Sequence, residues 1–135
     1  MTRTHFEKLE IYRLSEKLSD VVWDIVSGWS RFAKSTVGYQ LVRAVDSIGA
    51  NIAEGAGRSS VRDNRRFLCM ARGSLHETKH WLRRAYRRKL LTDEQAQVLR
   101  PLVDELLPRL NAFIKTIQRK QATTASEASV PQRTQ

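Results

Sequence analysis

The sequence predicts an all-α protein, an antiparallel up-down-up-down four-helix bundle. Three observations carry that prediction. Apolar residues recur at spacings of three and four along four separate segments, the mark of amphipathic helices. Only three prolines and six glycines interrupt 135 residues, and no stretch alternates apolar with polar in the manner of a strand. The links between segments are short, which makes consecutive helices antiparallel neighbours.

The first helix is expected from Phe6 to Trp29. Ile11, Leu14, Leu18, Val21, Val22, Ile25 and Trp29 share one face. Tyr12 and Trp23 fall on the other side and are expected to form an oligomer interface, since exposed tyrosine and tryptophan favour contacts between proteins. Gly28 and the polar run Ser30 to Thr36 read as a connection, with Phe32 plugging the end of the bundle.

The second helix centres on QLVRAVDSIGANIAEG, from Gln40 to Gly55. Leu41, Val45, Ile48 and Ile52 form its apolar stripe. Arg43, Ser47, Asn51 and Glu54 form a polar strip beside it, each a neighbour of the next on the helix surface. Asn51 sits on the border, where a half-buried amide needs partners. Gly55-Ala56-Gly57 is expected to end the helix in a left-handed conformation. Ser60 then caps the third helix, with Asp63 as its acidic third residue.

That third helix should run from Val61 to Lys89. Phe67, Leu68, Ala71, Leu75, Thr78, Leu82 and Ala85 face inward, with Trp81 and Tyr86 at the edges. Thr92-Asp93-Glu94-Gln95 is a capping box that opens the fourth helix. Leu99, Leu102, Val103, Leu106, Leu107, Leu110, Phe113, Ile114 and Ile117 line its apolar face. Pro101 and Pro108 lie on its outer face, where they would either bend the helix around the core or break it near Pro101. From Arg119 the chain is rich in Thr, Ser, Ala and Gln without periodic apolar residues. The expected division is therefore a bundle over 1–118 and a disordered tail over 119–135.

Two linked stretches, SIGANIAEGAGRSS (47–60) and FLCMARGSLHE (67–77), carry a resemblance. Asn51-Ile52-Ala53-Glu54-Gly55 followed by Ser74-Leu75-His76-Glu77 resembles the paired signature of the 23S rRNA intervening-sequence proteins, also called four-helix-bundle proteins. The resemblance spans Phe6 to Ile117. It implies an all-α bundle, a ring-like homo-oligomer of which a pentamer is one form, and no established catalysis. The family is named after where its genes sit. Related bundle proteins are thought to assist a reverse transcriptase, so a protein-interaction scaffold is one expectation from the resemblance.

Composition narrows the function classes. The single cysteine, Cys69, rules out an internal disulfide and suits a reducing, cytoplasmic setting. The first residues lack the apolar run of a signal peptide, and no segment approaches a membrane span. The formal net charge of +10 is concentrated. Residues 1–57 carry 7 basic and 7 acidic side chains, whereas Arg58 to Lys89 carry 11 basic and 2 acidic. Arg62, Arg65, Arg66, Arg72, Lys79, Arg83, Arg84 and Arg87 form a stripe on the side of the third helix away from its apolar face. Solvated faces normally mix signs, so a one-signed stripe calls for an anionic partner. Arginine dominates it, which suits phosphate. RNA or DNA is the expected partner; a solubilising surface and contact with an acidic protein or a membrane surface are the competing readings.

Other constellations are weaker. His76-Glu77-Thr78-Lys79-His80 matches H-E-x-x-H, in which two histidines one turn apart hold zinc and the glutamate activates water. Here both histidines lie on the arginine-rich side, and the remaining histidine, His5, is near the N-terminus; Asp104 or Glu105 would have to complete the site. A zinc hydrolase is thus a remote reading, and no metal or cofactor is expected. Gly55 to Ser60 has neither the spacing nor the preceding strand of a phosphate-binding loop. The polar strip holds no nucleophile with a base, so it is expected to bond to Ser74 and Glu77 of the third helix or to a neighbouring subunit, fixing register.

Overall fold

The computed structural model describes Phe6 and residues 9–128. Its helices are α1 (Glu10–Ser27), a three-residue α2 (Arg31–Ala33), a π-helical turn (Lys34–Gly38), α3 (Tyr39–Ala56), α4 (Val61–Arg87) and α5 (Asp93–Ala128). α1, α3, α4 and α5 are the four bundle helices. The core fills with Leu18, Ile48, Ile52, Leu75, Leu106 and Leu110, all of them shut off from solvent.

The antiparallel arrangement is legible in pairs of touching residues. Going up α3, Arg43 meets Glu77 and Ser47 meets Ser74, so the partner moves down α4. Between α1 and α3, Gly38 lies against Val26 and Gly49 against Ser15. Between α4 and α5, Arg72 bonds Asn111 whereas Tyr86 bonds Asp93. Each consecutive pair thus runs in opposite directions, and an Arg109–Glu10 ion pair at 2.9 Å links α5 back to α1.

α1 is shorter than the apolar pattern suggested. Gly28 and Trp29 form a turn on the carbonyls of Ile25 and Val26, and Ser30 caps the next helix, accepting from Ala33 N at 3.3 Å. The run Ser30 to Thr36 is consequently not a loop. It is helical and joins α3 through the π turn, where the Ser35 and Thr36 hydroxyls both donate to the Phe32 carbonyl. Phe32 itself does not plug the bundle: it is 78% exposed, and Ala33 and Val37 are buried in its stead.

The end of α3 corrects another expectation. Gly57 has φ −83°, and none of the glycines is left-handed among the described residues. Gly55 is required for a different reason. A β-carbon there would sit 2.9 Å from Asn64 Oδ1 and 3.0 Å from Phe67 Cβ. The glycine lets α3 and α4 approach closely just before the chain reverses. Ser60 then caps α4, accepting from Asp63 N at 3.1 Å.

α4 ends in a Schellman arrangement: Leu90 N donates to Ala85 O and Lys89 N to Tyr86 O. The left-handed position falls on Lys89, φ 61°. At the start of α5, Thr92 and Gln95 exchange backbone-to-side-chain bonds of 3.0 and 3.1 Å, a complete capping box. Pro101 and Pro108 sit inside an unbroken α5, both exposed. The helix passes the expected boundary at 118 and continues to Ala128, although Ile117 is its last buried residue. Its extension is built from exposed Ala, Gln, Lys and Thr, whose threonines bond back to the preceding turn. The remainder of the expected tail lies outside the described residues.

Candidate nucleic-acid interface

The polar strip of α3 faces α4 and meets it at two points. Arg43 Nη2 donates to Glu77 Oε1 at 2.6 Å, and Ser47 Oγ donates to Ser74 Oγ at 2.6 Å. The other two members turn inward on their own chain. Asn51 Nδ2 donates to the Ser47 carbonyl one turn back, and Glu54 takes Arg58 at 2.6 Å. Register between the helices therefore rests on the serine pair and the Arg43–Glu77 pair rather than on Asn51.

The basic stripe of α4 divides into two rows. Arg65, Arg72, Lys79 and Arg83 lie on the side of α4 that faces α5. There Arg72 Nη1 donates to Asn111 Oδ1 at 3.2 Å. Arg65 reaches the Gln118 amide oxygen at 3.0 and 3.2 Å in the orientation that satisfies that amide. Both partners are neutral, so the bonds fix the guanidinium groups without cancelling their charge. Arg62 and Arg66 point further outward, Arg87 lines the α5 side with the first row, and Arg84 is half-buried. Arg66 approaches Asp63 at 3.8 Å and lies over the Phe67 ring, which Arg58 covers as well. Arg62, Lys79, Arg83, Arg84 and Arg87 make no side-chain hydrogen bond or ion pair among the described residues. The two acids of α4 are engaged, Glu77 by Arg43 and Asp63 by Arg66.

Beside the first row, an open groove of about 850 Å³ runs between the second half of α4 and the first half of α5. Lys79, Arg83 and Arg87 line one wall, and Arg100 comes from the other. The sequence reading missed the α5 side of this groove. Its signal was present: Asp93, Gln97, Arg100 and Asp104 recur at helical spacing on one polar row. Tyr86, half exposed, lines the groove, its hydroxyl donating to Asp93 Oδ1 at 3.0 Å. That hydrogen bond, with the adjacent carboxylate charge, raises the phenol above its ordinary pKa.

The expected aromatic pair does not form one surface. Trp23 is 60% exposed, but Tyr12 is half-buried. Gly49 has no side chain, and the Tyr12 ring occupies the space it leaves, with the Phe6 ring edge-on at 5.1 Å. Trp23 instead shares an open cavity of about 570 Å³ with Tyr39, which is 61% exposed. Lys34 and Gly38 of the π turn line it too. The indole nitrogens of Trp29 and Trp81 are buried without a hydrogen-bond partner.

The H-E-x-x-H stretch gathers no third ligand among the described residues. His76 and His80 are exposed on α4, Glu77 is taken by Arg43, and Glu105 by Arg109. His5 lies outside the described residues. Among those described, no three His, Cys, Asp or Glu side chains come close enough together to hold a metal ion. Cys69 is half-buried beside Arg72. None of the described helices is long and apolar enough to cross a membrane.

Fold and surface together define a helical bundle with a hydrogen-bonded α3–α4 seam and a cationic outer face. The profile of the 23S rRNA-intervening sequence protein family matches residues 7–112, and the chain belongs to that family. A crystal structure of a protein of unknown function from the S23 ribosomal protein family of Bacteroides thetaiotaomicron has the same fold. Its TM-score is 0.69 at 24% identity, over 78% of this chain and 98% of that one. No curated protein matches.

Proposed function

We propose that this protein is a non-catalytic binding module that holds RNA or DNA by its phosphates along α4. One observation carries the reading. Five cations of α4 have no side-chain partner among the described residues, and two more are held by neutral amides. Uncompensated charge of one sign on one helix repels itself and is relieved by a polyanion. Arginine's planar fork matches phosphate oxygens. Such contacts position a strand without reading its sequence, so preference among sequences is weak.

The test is charge reversal at Arg62, Arg83 and Arg87 together. These side chains hold nothing else in place, unlike Arg65 and Arg72, so the fold tolerates the change. The triple variant binds every labelled RNA and DNA more weakly than the parent, by a similar factor for each sequence. Unchanged affinity would remove the reading.

A second reading concerns self-association. Exposed Trp23 and Tyr39 beside one cavity suit a contact between proteins, such as copies of this chain or a scaffold partner. It is compatible with the first, because this surface lies on α1 and α3 and leaves α4 open.

A further inference from the structure

We propose that the α4–α5 groove is a single-strand site, in which phosphates sit on the cationic rim and an unstacked base enters against Tyr86. This rests on the phosphate-binding reading and adds a second element to it. The groove differs from the outward arginine row because it has a floor. Leu91, Leu99 and Val103 are buried beneath it, and Leu82 is half-buried. Lys79, Arg83 and Arg87 follow one another at single-turn spacing along one wall, with Arg100 facing them. Four cations oppose two acids here, and one of these, Asp93, is occupied by the Tyr86 hydroxyl. The rim therefore favours an anion and the floor an apolar plane. A nucleotide supplies both in one residue.

Tyr86 is the stacking surface. It is 50% exposed, and its bond to Asp93 anchors the ring between the two helices. Pro101 adds a further apolar wall. Having no N–H, it also leaves the Gln97 carbonyl without the usual helical donor, and Gln97 lines the same groove. That carbonyl is an acceptor suited to an exocyclic amine of a base. A duplex cannot use these features, because its bases are paired and stacked inside. Duplexes are confined to the outward row, whereas single strands reach both.

Fluorescence anisotropy at ~50 mM salt, where electrostatic binding is strong, tests the proposal with a labelled oligocytidine and an RNA duplex of equal length. Tyr86→Ala is expected to weaken the single strand about tenfold, the usual scale for loss of one stacked base. Its duplex affinity stays that of the parent. Tyr86→Phe keeps the ring and stays within about twofold for both probes. Arg100→Glu, on the other wall, also weakens the single strand and spares the duplex, which guards against a folding defect in the first variant. Equal effects on both probes, or none, would overturn the groove site while leaving phosphate binding by α4 intact. Failure of the parent to bind either probe would overturn both. A polyglutamate peptide that displaces the single strand from the parent but not from Tyr86→Ala would reassign the groove to acidic proteins.

Discussion

Gly55 lies where α4 leaves no room for a side chain. A methyl group there would press on Phe67 Cβ and the Asn64 backbone, neither of which can swing aside. Gly55→Ala is accordingly expected to cost about 1–3 kcal/mol, the usual range for overpacking. It would lower the melting temperature and leave the helical circular dichroism of the folded protein unchanged. A melting temperature equal to the parent's would show that the two helices can part freely at this point. The glycine was legible in the sequence as part of the family signature, but its reason was not. Periodicity gives the face on which a residue lies, whereas the distance between two helices depends on both partners. The same limit explains Asn51. Its border position was readable, yet its choice of the Ser47 carbonyl over α4 follows from local geometry that a wheel does not contain.

At the level of the elements, the four bundle helices were legible because each carries a long apolar stripe and clear caps. Ser60 and the Thr92–Gln95 box bond as their sequence patterns require. The errors fall where those signals are absent. Ser30 to Thr36 looked like a loop because it is a short polar run with no apolar stripe of its own. There the serine and threonine hydroxyls bond the carbonyl of Phe32, while Ala33 and Val37 are buried under the turn. α5 outlasts its apolar stripe because Ala, Gln and Lys favour a helix with nothing to pack against. Proline was ambiguous in sequence. An exposed position resolves it, since the lost hydrogen bond then faces water and the helix continues. The groove went unread because half of it belongs to α5, and its two walls meet only once the helices pair.

Across the whole molecule, the Trp23–Tyr39 patch and the cationic stripe lie on different helices. Trp23 and Tyr39 lie on α1 and α3, the arginines on α4. If the aromatic side is the contact between copies, Trp23→Ser shifts the mass measured by light scattering towards monomer with helicity retained; an unchanged mass would place the contact elsewhere. Such an assembly repeats the cationic face once per copy, and the central claim is that this face neutralises phosphates. The salt dependence of single-stranded RNA binding measures that most directly. With roughly five phosphates neutralised, at about 0.7 per contact, log K against log salt falls with a slope near −3.5. A slope near zero, or no binding at ~50 mM salt, would contradict it.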